Sequence, residues 1–393
     1  MGTGMNRAWT LVRVAALALF AAGLPAAASP PNKAIPADVT FPANNISPLD
    51  ARVTTLPQAV AANGARHLVY ELRLTNFERR TVTMQGLDIL ASGKSERVLA
   101  HLTTPDLKGM TLRRGSKSND DVLDIPGGGT AMVYLWVTLD RGTPAPTALA
   151  HRLTVQEAGE PKPETFTAQA SAVDRGPPIA IDSPLRGDRW GAFNGPSNTS
   201  NHRRSFIMVD GREVIAQRFA TDWGKIGPNG DMSQGDEHVN ANYPGYGQPI
   251  YAVADGIVTT VRSDLPENTP PEGPKSFKTA NDFAGNLIVE RIGPRRFALY
   301  AHMQGASIHL KPGDKVRRGQ VIGRLGNSGN SDAPHLHFHI CDSNSALGCE
   351  GLPFVFRSYS VDGHARDSGV TTEPAVAHRM ETPLEGEVVR FEP

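Results

Sequence analysis

The run His335, Leu336, His337, Phe338, His339 sets three imidazoles at alternate positions. In a β-strand successive side chains point to opposite faces, so these three share one face at intervals of roughly 7 Å. Three imidazoles on one face suggest a metal site. Two further residues close behind carry chemistry of their own: Cys341 and Cys349 are the only cysteines in 393 residues. In an oxidising compartment an isolated pair eight positions apart reads as a small structural disulfide, closing a loop after the histidine strand.

The compartment is read from the amino terminus. Arg7 and Arg13 precede an apolar run, Val14 to Leu24, that ends in Pro25, Ala26, Ala27 and Ala28. This pattern predicts a signal peptide over 1–28, hence a periplasmic or secreted protein with no stable membrane insertion after cleavage. Lys plus Arg and Asp plus Glu number 40 each, which gives no bulk electrostatic case for nucleic acid or an anionic membrane surface. The sequence leaves the oligomeric state open.

The elements that would position the histidines are β throughout. A Pro- and Ala-rich linker over 30–45 leads into alternating series, Leu68, Tyr70, Leu72, Leu74 and Met132, Tyr134, Trp136, each after a Gly-containing turn. They predict an immunoglobulin-like β-sandwich over 46–174 with no catalytic grouping. A Pro-rich linker over 175–185 separates it from a second all-β domain over 186–360, and 361–393 reads as a polar, loosely attached tail. In the second domain strands are expected at Ser205 to Val209, Val214 to Phe219, Ile250 to Val253, Gly256 to Val261, Leu287 to Arg291, Phe297 to His302, Gln320 to Leu325 and His335 to Ile340. The Pro-rich loop Leu265 to Ala284 is a candidate groove wall.

Within this domain the segments Gly247 to Val258, Gly285-Asn286, Tyr300-Ala301-His302, Lys311 to Val316 with Gly319-Gln320, and Gly326 to Gly329 running into Pro334 to Phe338 occur in the order found in a known family. The chain resembles the lysostaphin/LytM-type zinc metallopeptidases, peptidoglycan endopeptidases with an antiparallel β-sheet domain, over about 170 residues. The resemblance implies zinc as cofactor, peptidoglycan peptides as partners, and hydrolysis of their peptide bonds through a zinc-activated water. It assigns His337 and Asp222 to the metal and His302 and His335 to catalysis beside it. His339 becomes a bystander that packs or orients the neighbouring ligand.

One position departs from the family pattern. Arg218 stands where the first zinc-binding histidine would be, four residues before Asp222, and a guanidinium cannot ligate a cation. His202 is the expected substitute and His238, in the loop Gly224 to Tyr243, its rival. Asp210-Gly211 predicts a hairpin that folds His202 back toward Asp222. By strand parity a two-residue loop pairs Val209 with Arg212 and leaves His202 and Asp222 on opposite faces, so this pairing is expected to need an odd loop or a bulge. The alternative is a non-catalytic LytM-like scaffold that binds wall or activates a partner hydrolase. A protease of soluble proteins would use the same residues.

Overall fold

The computed structural model describes residues 46–92, 97–116, 121–140, 142–273, 280–366 and 369–392. The expected signal peptide and the linker over 30–45 lie outside them. The first part of the described chain is a pair of antiparallel sheets. One contains Leu49–Val53, Ala65–Asn76, Thr130–Leu139 and Thr111–Leu112, with Ala59–Ala62 beside Ala65–Asn76; the other contains Glu164–Ala172, Ala148–Glu157, Val82–Ser92 and Arg97–Thr103, with Asp124–Ile125 beside Val82–Ser92. Leu68, Tyr70, Leu72 and Leu74 face the shared core, where they meet Leu87, Ile89, Leu149 and Leu153 of the opposite sheet.

The other face of the first sheet is also covered. Alternate residues of Ala65–Asn76, namely Val69, Glu71 and Arg73, point away from the sandwich core. Val69 joins the core of the second half, while Glu71 and Arg73 meet charged groups of that half. Thr130–Leu139 is apolar at both sets of positions for the same reason. Val133, Leu135 and Val137 face the sandwich core, and Met132 and Tyr134 pack on Phe206 and Ile215. A strand buried on both faces reads as a continuous apolar run, and MVYLWV is one.

The second half is built on a ten-stranded sheet. Its order is Lys315–Val316, Gly256–Arg262, Leu287–Gly293, Arg296–Ala301, Leu336–Cys341, Thr221–Lys225, Gly187–Phe193, Glu387–Phe391, Tyr359–Arg366 and Gly369–His378. The histidine strand Leu336–Cys341 is therefore central, paired antiparallel with Arg296–Ala301 on one side and Thr221–Lys225 on the other. All six of its residues are buried. Cys341 and Cys349 are joined in a disulfide that closes the loop behind it.

Three expectations about this half are corrected. The segment 361–393 is no loose tail, because Glu387–Phe391 inserts between Gly187–Phe193 and Tyr359–Arg366. Val389 and Phe391 are buried, and Phe391 packs edge-on against Trp223 at 5.2 Å between ring centroids. Burying such a side chain contributes about 1.5–3 kcal/mol, which outweighs the polar average of the segment. The linker over 175–185 contains the strand Ile179–Ile181, paired parallel with Phe354–Phe356, and Ile181 and Leu185 belong to the core. Finally, the strand expected at Ser205 to Val209 shortens to Ile207–Val209, and the one expected at Val214 to Phe219 is replaced by Arg212–Val214, which shares only Val214 with it. The turn between them has two residues, Asp210 and Gly211, both with positive φ (50° and 74°), as a two-residue hairpin of this type requires.

Candidate metal centre

Asp222 and His337 are direct cross-strand partners, so their side chains share one face of the sheet. The Nδ1–H of His337 donates to Asp222 Oδ1 at 2.8 Å. His202 reaches the same carboxylate, its Nε2 lying 3.3 Å from Oδ2. The three donor atoms of His202, Asp222 and His337 all lie within 4.8 Å of one another.

The two-residue hairpin loop does not prevent this, contrary to the parity expectation. That expectation took both strands as continuous, whereas His202 sits on a single helical turn, Asn201–Arg204, and the chain turns again between Val214 and Thr221. Alternation of side chains is not carried through either break. His238 bonds instead to Asp236 on the surface, with more than half of its side chain exposed, and is not part of the cluster. Arg218 is buried and turned toward Glu71 and Glu350.

Backbone carbonyls orient three of the imidazoles. A carbonyl oxygen only accepts, so the Nδ1–H of His202 donates to Asn194 O (3.0 Å), that of His302 to Ser328 O (2.7 Å) and that of His335 to Ala333 O (2.8 Å). Each ring then carries its lone pair on Nε2. His335 Nε2 lies 3.4 Å from Asp222 Oδ1, and the His302 and His335 rings are 4.7 Å apart.

His302 gets there by breaking the strand rule. Its predecessor Ala301 stands opposite His337 and shares that face, so a continued strand would send His302 to the other side. His302 instead has φ 63°, in the sparsely populated left-handed region, which re-aims the ring toward His335 and His337. The glycines of the motif serve the same end. A Cβ on Gly329 would come within 2.3 Å of the Gly285 nitrogen, so only two bare backbones can cross here and present the Ser328 carbonyl to His302.

The electrostatics follow from burial around one carboxylate. Burial works against the charge of Asp222, but the imidazoles of His202 and His335 prevail and hold its carboxyl well below the usual range. Burial pushes His202 down to about 4, leaving it neutral and able to ligate. Burial, then His335 and His337, hold His302 well below the ordinary imidazole value. At His335 burial again opposes the charge, yet the nearby Asp222 carboxylate raises the ring above that value. His339 is fully buried, and burial followed by His337 keeps it well below that value. Its Nδ1 lies 2.9 Å from His337 Nε2, while its Nε2 has no partner among the described residues.

These residues line a cavity of about 550 Å³, to which the Pro-rich loop contributes Glu272, Gly273 and Phe283. The donor set fits zinc. Two imidazole nitrogens and one carboxylate converge, one imidazole is pinned by a carbonyl with its lone pair inward, and a further position faces the cavity. A second grouping, His339 with Cys341 and Cys349, offers no thiolate because the cysteines are joined. Sequence reasoning missed Asn194 as a direct partner. Its side-chain amide donates to Asp222 Oδ2 at 2.9 Å while its carbonyl holds His202, and the only signal was the polar loop around it.

Comparison with known proteins agrees with the expected resemblance. Residues 239–348 match Peptidase family M23, a span that includes His302, His335 and His337 and starts after Asp222. Over 94 residues the chain is 33% identical to the peptidoglycan DD-endopeptidase ShyA of Vibrio cholerae, covering 24% of this chain and 17% of ShyA. It is 26% identical over 140 residues to the glycyl-glycine endopeptidase ALE-1 of Staphylococcus capitis, covering 35% of this chain and 34% of ALE-1. The chain thus matches only a sixth to a third of the length of these relatives. Among solved structures, the lysostaphin catalytic domain from Staphylococcus simulans is 21% identical, covering 42% of this chain and 88% of that domain with a TM-score of 0.24.

Proposed function

We propose that the chain is a zinc-dependent endopeptidase that hydrolyses peptide bonds of bacterial peptidoglycan, exported to the periplasm or beyond. The observation that carries this reading is the convergence of His202, Asp222 and His337 beside two imidazoles that do not share their ligand role, His302 and His335. ShyA is a peptidoglycan DD-endopeptidase by name and ALE-1 a glycyl-glycine endopeptidase, which together suggest the substrate class. Arg218, the residue that favoured a scaffold, is engaged in buried ion pairs away from the cavity and so does not argue for a lost ligand.

His202 Nε2, an Asp222 oxygen and His337 Nδ1 would hold the metal. Zinc bound there would polarise the scissile carbonyl and lower the pKa of a bound water. His302, neutral and with its Nε2 lone pair toward the cavity, accepts a hydrogen bond from the attacking water and orients it. His335, whose Nε2 lies 3.4 Å from Asp222 Oδ1, is the second imidazole beside the ligands. It takes the proton released by the water at Nε2 and delivers it to the departing amine. The left-handed backbone at His302 and the carbonyl of Ala333 fix the two rings before substrate arrives, which removes part of the orientational cost of the reaction.

The test combines metal content with product analysis. The purified mature chain should contain a single zinc ion and convert cross-linked muropeptides to uncross-linked ones, read by mass spectrometry. His202→Ala should lose the metal and His238→Ala keep it, while His335→Ala should keep zinc and lose activity by roughly a hundredfold or more. A wild-type protein without zinc at neutral pH, or one that holds zinc and leaves sacculi intact while cleaving soluble protein, would sink the reading.

A further inference from the structure

We infer that the amino-terminal sandwich is part of the metal centre, with Glu71 as the positioning residue that holds the two segments carrying His202 and Asp222. The inference rests on the zinc reading above and concerns how that site is assembled. Glu71 lies on Ala65–Asn76 and is fully buried, and each of its oxygens is taken by a different arginine. Arg203, the residue after His202, donates from Nε to Oε1 at 3.2 Å. Arg218, four residues before Asp222, donates from Nε to Oε2 at 2.8 Å.

The terminal nitrogens of both guanidinium groups are also engaged. One terminal nitrogen of Arg203 bridges the carbonyls of Tyr70 and Leu135, cross-strand partners in the sandwich, at 2.9 Å each, and the other donates to Asn198 Oδ1 at 2.6 Å. Arg218 donates to Glu350 Oε2 at 2.9 Å and to the Gly351 carbonyl at 3.1 Å. Glu350 follows Cys349 directly, so the disulfide fixes the far end of the network. The two buried arginines and two glutamates balance, with Arg212 reaching Glu350 Oε1 from the surface at 3.6 Å, and planar guanidinium groups with several fixed acceptors hold direction as well as distance.

The segment that needs this support cannot hold itself. Between Phe193 and Thr221 it contains one four-residue helix and one hairpin of three-residue strands, far below the length at which such elements are stable alone. Phe219 and Ala216 pack on the second half, but the stretch around His202 is anchored on the sandwich: Asn198 Nδ2 donates to Tyr134 O at 3.0 Å, and Phe206 and Ile215 pack on Met132 and Tyr134. A domain lying over 46–174 therefore reaches the ligands through the backbone beside them. This also gives Arg218 a use at the position where the family pattern has a ligand.

The experiment measures zinc affinity of the full chain by competition with a chromophoric chelator. Glu71→Gln should weaken zinc binding about 10–100-fold, the usual range for losing a group that orients a ligand. Leu87→Ala, a core substitution on the opposite sheet, serves as the stability control and should lower the thermal midpoint with affinity unchanged. Wild-type affinity in Glu71→Gln, or equal weakening in Leu87→Ala, would overturn the inference. Should Glu71→Gln not fold, Arg218→Lys keeps the charge and loses the fork. Weakened affinity in that variant supports the inference and unchanged affinity overturns it. A wild-type chain that binds no zinc would remove the parent reading, a result distinct from unaltered affinity in the variants.

Discussion

His339 looks inert in sequence, a third imidazole beyond the pair that the family pattern uses, yet it contacts His337 directly. While His337 Nδ1 donates to Asp222, its Nε2 accepts from His339 Nδ1–H. A metal on Nδ1 would reverse that bond, with Nε2–H donating to His339. His339→Ala should then weaken zinc affinity by roughly tenfold, and His339→Gln, which retains an acceptor, should recover part of it. Equal affinities for wild type and the alanine variant, measured by the same competition, would reduce His339 to packing. His302, His335 and His337 were legible in the sequence because they lie inside contiguous motifs. The contact of Asn194 with Asp222 was not, since 28 residues separate them and only the closed sheet, with Phe193 opposite Asp222, brings them together.

At the level of elements, the strand Leu287–Gly293 buries a carboxyl with no cation paired to it among the described residues. Glu290 is fully buried, accepts from Tyr300 Oη at 2.6 Å, and burial raises its pKa to about 7. A carboxyl raised in the folded state binds its proton more tightly there than in the unfolded chain, so its contribution is present below about pH 4.5 and is lost as pH rises through about 7. At about 1.4 kcal/mol per unit the loss is on the order of 3 kcal/mol. Glu290→Gln removes the ionisation, and urea unfolding at about pH 5 and about pH 8 should differ less in the variant than in wild type. An undiminished difference would place the pH dependence elsewhere. The strands themselves were largely legible from alternation and Gly punctuation. Their ends were not, because the left-handed turn at His302 and the shortness of the strands beside the expected Asp210-Gly211 turn are set by what the chain packs against, which alternation does not report.

The molecule as a whole depends on its last strand more than composition suggests. The segment 361–393 averages polar because Gly369–His378, its edge strand, is almost entirely exposed, and that average hides Val388, Val389 and Phe391. These three are buried where Glu387–Phe391 joins Gly187–Phe193 to Tyr359–Arg366, so removing them separates one sheet into two and leaves both new edges unpaired. At about 1.5–3 kcal/mol each, the apolar burial alone amounts to about 5–9 kcal/mol, comparable with the net stability of a typical domain. Deletion of residues 386–393 should therefore abolish soluble expression or lower the thermal midpoint severely. Val376→Lys, on an exposed edge position, should change neither. A truncated chain that melts with wild type would mean that Gly187–Phe193 holds its place without this strand. The candidate metal centre would register the loss at once, because Gly187–Phe193 is the neighbour of the strand that carries Asp222 and leads directly into Asn194.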